Sequence, residues 1–199
     1  MGSFKNKGLK LGTDGSVVVD RLSAARIEIP AAAAVVANTT AVKAAVNSTG
    51  STLVITTGIT NPAYPRALTA TAGGTAGDIK AIQVTVTGTN FNDEVITETL
   101  PVFTVDTAGT VQGSKAFKTV TQISIPTHDG NGATTAIGFN EKMGLPFKLA
   151  RNSVIAAYLN NVKEGTAPTV AVSSTALESN TVDLNSALNG TIVHVDLLV

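Results

Sequence analysis

At 199 residues, 43% of them hydrophobic but only 4% aromatic and none Trp, the chain can fill the core of one domain, and it must do so mainly with Ala, Val, Ile and Leu. Lys plus Arg and Asp plus Glu each total 14, so no field of one sign exists to steer the chain to nucleic acid or an anionic membrane. The absence of Cys excludes disulfides, thiolate zinc sites and cysteine nucleophiles together, and a charged fraction of 14% leaves a neutral surface that does little to repel neighbours, as suits a subunit of an assembly.

Residues 1–15 carry four Gly and several Lys with little periodicity, the pattern of an exposed arm that buries too little apolar surface to offset its ordering entropy. No signal-peptide core follows this basic start, and the apolar run Ala31 to Ala37 is too short to span a bilayer. From Ser16 to Ile29, Val17-Val18-Val19 and the alternation Arg26-Ile27-Glu28-Ile29 suggest short strands, which Pro30 ends. Ala31 to Val46 has helix-favouring Ala content, but Thr39, Thr40 and several Val dilute it and no 3.6-residue polar face emerges, so its type stays open. Ser51 to Thr60 reads as a strand closed by Asn61-Pro62.

The middle of the chain is the most regular. Ile82, Val84 and Val86 alternate with Gln83, Thr85 and Thr87, the period-2 signature of a strand with one face in a core. Gly88 to Asp93 is a turn, and Glu94 to Phe103 a second strand, so the two are expected to form an antiparallel hairpin with Pro101 at a sheet edge. Phe117 to Ile125 follows, with Phe117, Thr119, Thr121, Ile123 and Ile125 on one side. Ser153 to Leu159, Thr169 to Ser173 and Thr191 to Val199 complete the set. The expected fold class is all-β, an antiparallel β-sandwich or barrel-like domain over residues 51–199 with an extended N-terminal arm over 1–50.

Candidate chemistry is thin. His128, Asp129 and Asn131 lie in an oxygen-rich loop, yet an EF-hand beginning at Asp129 would need Glu where Asn140 stands, so a Gly-Asn turn is the expectation. His194 and Asp196 share a strand face but make only half a metal site, and a solvated or intersubunit face is expected there. Glu94 and Glu98, next to Asp93, could pair for glycosidic acid–base work. With no Trp, and with Tyr64 and Tyr158 far apart in sequence, a wet sheet face is expected instead. Gly73-Gly74-Thr75-Ala76-Gly77 lacks the Lys-Ser/Thr helix start of a phosphate loop and reads as a flexible turn. No catalytic, cofactor-binding or metal-ligating residues, and no cofactors, are therefore assigned.

The stretch Thr57-Gly-Ile-Thr-Asn-Pro-Ala-Tyr-Pro-Arg66, followed by Val84-Thr-Val-Thr-Gly-Thr-Asn90, Ile96-Thr-Glu-Thr99, Lys115-Ala-Phe-Lys-Thr-Val120 and Lys142-Met-Gly-Leu-Pro-Phe147, resembles a group of accessory virion proteins of tailed phages. The section Asn180-Thr-Val-Asp-Leu-Asn-Ser-Ala-Leu-Asn189 is similar to the same group, so the likeness spans roughly residues 50–199. It rests on the order of the motifs, which are structural rather than catalytic. The resemblance implies a non-enzymatic capsid decoration or cement protein, made in the host cytoplasm and carried on the capsid exterior. Its implied partners are the major capsid protein, other virion proteins and further copies of itself, a trimer among the options, with no membrane and no direct nucleic acid. The alternative is a neck, tail or head-fibre component, or a carbohydrate- or receptor-binding β module.

Overall fold

The computed structural model describes residues 23–199, and over them the protein is all-β and antiparallel. The strands are β1 (Ala24–Ile29), β2 (Asn38–Asn47), β3 (Leu53–Ile55), β4 (Arg66–Gly74), β5 (Thr85–Thr89), β6 (Val95–Thr99) and β7 (Gly109–Phe117), then β8 (Thr119–Ile125), β9 (Ala133–Gly144), β10 (Val154–Leu159), β11 (Val162–Lys163), β12 (Thr169–Ala171), β13 (Thr181–Asp183) and β14 (Val193–Leu198). Three sheets result: β1-β14-β10-β11, the central β12-β13-β9-β4-β7 with β2 also on β9, and β3-β8-β5-β6.

The central and β3-β8-β5-β6 sheets curl around one core of Val42, Leu68, Ile79, Val84, Val86, Leu100, Phe117, Ile123 and Ile137. The β1-β14-β10-β11 sheet closes a second core of Ile29, Met143, Leu145, Val182, Val193, Val195 and Leu197. The 12-residue β9 serves both: Thr134 to Phe139 pair with β2 and β4, and Met143 and Gly144 continue to β13. Its burial on both faces is why Ala, Gly and Thr interrupt its larger side chains. At Gly138 a Cβ would collide with the backbone of Asn38 and Thr39, so only Gly lets β2 cross there.

The hairpin expected around Gly88 to Asp93 is β5-β6, in the register Thr85↔Thr99 to Thr89↔Val95, and β6 is the outermost strand that Pro101 implies. Asn90 makes its turn, its Oδ1 accepting the backbone N–H of Asn92 (2.9 Å) and Glu94 (3.2 Å). The C-terminal strand lies between β1 and β10, with Val199 and Ser23 exchanging backbone hydrogen bonds.

Two expectations change. Arg26 to Ile29 is a strand as anticipated, and the undecided Ala31 to Val46 resolves into a turn and β2. Residues 24–47, assigned to the arm, thus contribute two paired strands because Ile27, Ile29, Ala33, Ala34 and Val42 have core positions to fill. The remainder of the expected arm, with Val17-Val18-Val19, lies outside the described residues. In β8 the single face expected from Phe117 to Ile125 is broken by a bulge opposite Thr87 and Gly88, which turns Val120 inward and Thr121 out before Ile123 resumes the core.

Candidate interaction surface

The loop around His128 does form a turn, but its imidazole is not spare. His128 is only 4% exposed, stacked on Phe103, with Nδ1 accepting the Lys80 backbone N–H (3.2 Å) and Nε2 against Thr135 Oγ1 (2.9 Å). An Nδ1 that accepts a backbone proton leaves Nε2 as the protonated nitrogen, donating to the hydroxyl. Burial then holds the ring below its ordinary value of 6.5, with Asp129 opposing. On the other side of the loop, Asp78 Oδ2 accepts the Gly132 N–H (2.9 Å), and Thr75 N–H donates to the Gly132 carbonyl. The Gly73 to Gly77 segment is therefore the end of β4 and a clasped 3-10 turn.

The unfolded chain takes up a proton near 6.5 while the folded ring resists, so acid favours unfolding. Stability should be full above about pH 6.5 and fall as pH drops below it. Urea denaturation at neutral and mildly acidic pH should reveal that loss and find a smaller one in His128→Gln; equal losses in both proteins would remove His128 as its source.

His194 and Asp196 do face the same side of β14, and both are paired within the sheet. Asp196 takes a two-pronged bond from Arg26 (2.7 and 2.8 Å), which holds its carboxyl below the usual range, while Arg26 lies over the Tyr158 ring. His194 Nε2 lies 3.4 Å from Glu28. Among the described residues no three His, Cys, Asp or Glu converge as metal ligands.

Glu94 is exposed and meets Asn90 (2.8 Å), but the wet face expected for Glu98 is corrected: it is 9% exposed, on the inward side between Ile96 and Leu100. Its carboxylate accepts the backbone N–H of Ser114 (2.7 Å) and Lys115 (3.3 Å) and the Ser114 hydroxyl (3.0 Å), where β7 bulges away from β4 between Ala67 and Thr69. Those N–H groups have no ladder partner, and a buried carboxylate with three donors is the compensated form of a costly burial. Lys115 Nζ reaches back to the Thr97 carbonyl (3.0 Å), so side chains seal β6 to β7. Tyr64 bonds the Gly144 carbonyl and sits edge-on to Phe91, away from Tyr158 under Arg26, so the two tyrosines frame no common groove.

Two residues that the sequence did not single out hold the ends together. Arg66 is 1% exposed, with Nη1 on the Val35 carbonyl (2.7 Å) and its guanidinium 4.3 Å from the Phe139 ring centre. Asn180 is fully buried and bonds five backbone groups.

One outward face is largely uncharged. On the open face of β5, β6 and β8, Thr85 pairs with Thr99 (3.2 Å), Thr87 with Thr97 (3.2 Å) and Thr89 with Thr119 (2.7 Å). Leu100 N–H to Val84 and Asn90 N–H to Glu94 place the Thr85–Thr99 and Thr87–Thr97 pairs at the close, non-hydrogen-bonded positions of the β5–β6 ladder, where cross-strand hydroxyls meet. Val95 at the end of β6 is 77% exposed. Between β2 and β3 lies a groove of about 410 Å³ lined by Lys43, Val46, Asn47, Thr49 and Leu53 to Thr57. No helix among the described residues is long and apolar enough to cross a membrane. Comparison with known proteins returns no match, whether to a protein family, a curated protein or a solved structure.

Proposed function

We propose that this chain is a non-enzymatic structural subunit of a tailed-phage virion, placed on the capsid exterior and bound to the major capsid protein, where it decorates or cements the shell. The observation that carries the reading is that the groups with chemistry to offer are committed to the fold: His128 to Lys80 and Thr135, Glu98 to the β7 bulge, Asp196 to Arg26. The surface includes rows of hydroxyl pairs and isolated exposed valines, suited to broad protein contact. The order of the motifs from Thr57 to Asn189 supports the phage assignment. A lattice multiplies weak sites by avidity, and ligation of the assembled shell stabilises it by linkage.

The test is to incubate the purified protein with particles lacking it, then measure occupancy and the temperature at which the genome is released. Stoichiometric occupancy with a raised release temperature supports cementing. No binding to the shell overturns it and favours the neck, tail or fibre alternative. Recognition of a glycan or receptor is the second reading, favoured by the threonine rows; a glycan array in which Thr87→Val and Thr97→Val abolish a reproducible signal would establish it.

A further inference from the structure

We infer that the groove between β2 and β3 receives the segment Ser16 to Asp20 of a second copy of this chain, added as a strand between them. The curled half-barrel has two seams. One, between β6 and β7, is sealed by Glu98 and Lys115. The other is pinned at one end only, where Thr60 N–H meets the Val42 carbonyl (2.9 Å) and Lys43 Nζ meets the carbonyls of Thr57 and Gly58 (3.1 Å each). Beyond that pin the two strands splay, and among the described residues β2 has no strand partner other than β9 and β3 none other than β8. Such edges are templates for an added strand, and the groove volume lies in the range of ligand clefts, about 300–1,000 Å³.

The walls identify the occupant. Val46, Leu53, Val54 and Ile55 are apolar, Val54 is 60% exposed, and Lys43 stands at the pinned end with no carboxylate in ion-pair reach among the described residues. The occupant should be a short β-branched run carrying one acid at its end. Ser16-Val17-Val18-Val19-Asp20 has that pattern, and five extended residues span roughly 17 Å, about the length of the free edge from Lys43 to Asn47.

The copy's own segment leads into a different sheet. Ser23 pairs with Val199 at the start of β1, in the sheet around the other core, and three residues of extended chain carry Asp20 no more than about 10 Å from it. A neighbouring molecule has no such tether. The inference stands apart from the virion reading, since it concerns only how two copies meet.

The absence of Cys makes the test clean. Full-length Val18→Cys and Val54→Cys proteins are mixed under mild oxidation, with Val95→Cys, on the far strand β6, in place of Val54→Cys as the control. A mixed disulfide dimer with Val54→Cys, little with Val95→Cys, is the expected result. Lys43→Glu should lower its yield about two- to fivefold, the range of an exposed ion pair, and Asp20→Lys in the partner should restore it. The double variant Val18→Cys/Val54→Cys, diluted into excess wild type, decides the source: a disulfide within one chain overturns the second-copy assignment. Equal coupling to Val95→Cys, or no coupling to either, overturns the site itself and leaves the groove to another protein or to none.

Discussion

Arg66→Ala lowers the unfolding free energy by about 3–5 kcal/mol, the cost of truncating a large buried side chain, which leaves a cavity against Phe139 and removes the hydrogen bond to Val35. Arg66 binds the β1–β2 connection at the Val35 carbonyl. Nearby Glu141 fixes the same connection and the 185–190 loop, its oxygens accepting the N–H of Ala37 (3.2 Å) and Leu188 (3.0 Å). The guanidinium lies in the field of Glu141 and Asp183, yet burial outweighs that attraction and pulls it down to about 10, still protonated at neutral pH. Its Nε and Nη2 have no partner, which marks the charge as costly to keep.

Arg66→Met retains contact with Phe139 and should lose only about 1–3 kcal/mol, for the stranded Val35 carbonyl. Equilibrium urea unfolding of the three proteins separates these values, and hydrogen exchange at Ala37 should accelerate in both variants. Equal stability of Arg66→Ala and wild type would refute the role. A pH series adds a signature. Burial chiefly, with Glu141, raises Asp183, while Lys142 and Arg66 lower it. A carboxyl raised in the folded state binds its proton there first, so acid relieves the penalty of keeping it ionised. Removing Arg66 raises Asp183 further, and the gap between Arg66→Met and wild type should narrow as pH falls from neutrality toward the ordinary carboxylate value near 4. His128 destabilises both proteins alike on acidification and cancels from the difference.

The elements legible in the sequence are those with one wet face. β5, β6 and β10 alternate or cluster β-formers between turn residues, and the hairpin at Asn90 carries its own local chemistry. β4 and β9 were silent for the opposite reason: as central strands covered on both faces they lose the period of two, with Ala67, Ala70 and Ala72 buried and Gly138 too close to the backbone of Asn38 and Thr39 to carry a Cβ. β2 is masked by its Ala content, its strand state being imposed by β9. Glu98 was misplaced because nothing local distinguishes a solvent-facing Glu in alternation from one that caps a bulge sixteen residues later. The one sequence signal is Gly113, where a Cβ would press on Glu98 and Leu100. Arg66 and Asn180 were invisible in the same way, since their partners lie far along the chain or in irregular loops.

Asn180→Ala should cost on the order of 4 kcal/mol, near the upper limit for a point substitution, and lower Tm by roughly 10 °C for a chain of this size. Its Oδ1 accepts the N–H of Leu149 (3.0 Å) and Ser173 (2.8 Å), and its Nδ2 donates to the carbonyls of Ser173 (3.0 Å), Ala176 (2.8 Å) and Leu177 (3.2 Å). One amide thereby gathers the 145–150 and 172–180 loops beside the second core, where Leu145 N–H also donates to the Asn180 carbonyl (2.8 Å). Truncation strands the N–H groups of Leu149 and Ser173 and the Ser173 carbonyl, while the Ala176 and Leu177 carbonyls keep the backbone N–H of Ser179 and Asn180. Asn180→Asp separates chemistry from volume: the shape is kept, but a carboxylate would face three carbonyl oxygens, so this nearly isosteric change should be at least as harmful as Ala at neutral pH. Protonation restores one donor, so the Asp variant should regain stability on acidification, beyond wild type, while the Ala variant should not. Thermal unfolding of both variants at neutral and acidic pH provides the check. An Asp variant as stable as wild type at neutral pH would mean that the loops hold without the amide donors, and that packing around Leu177 and Leu149 alone fixes this end of the molecule.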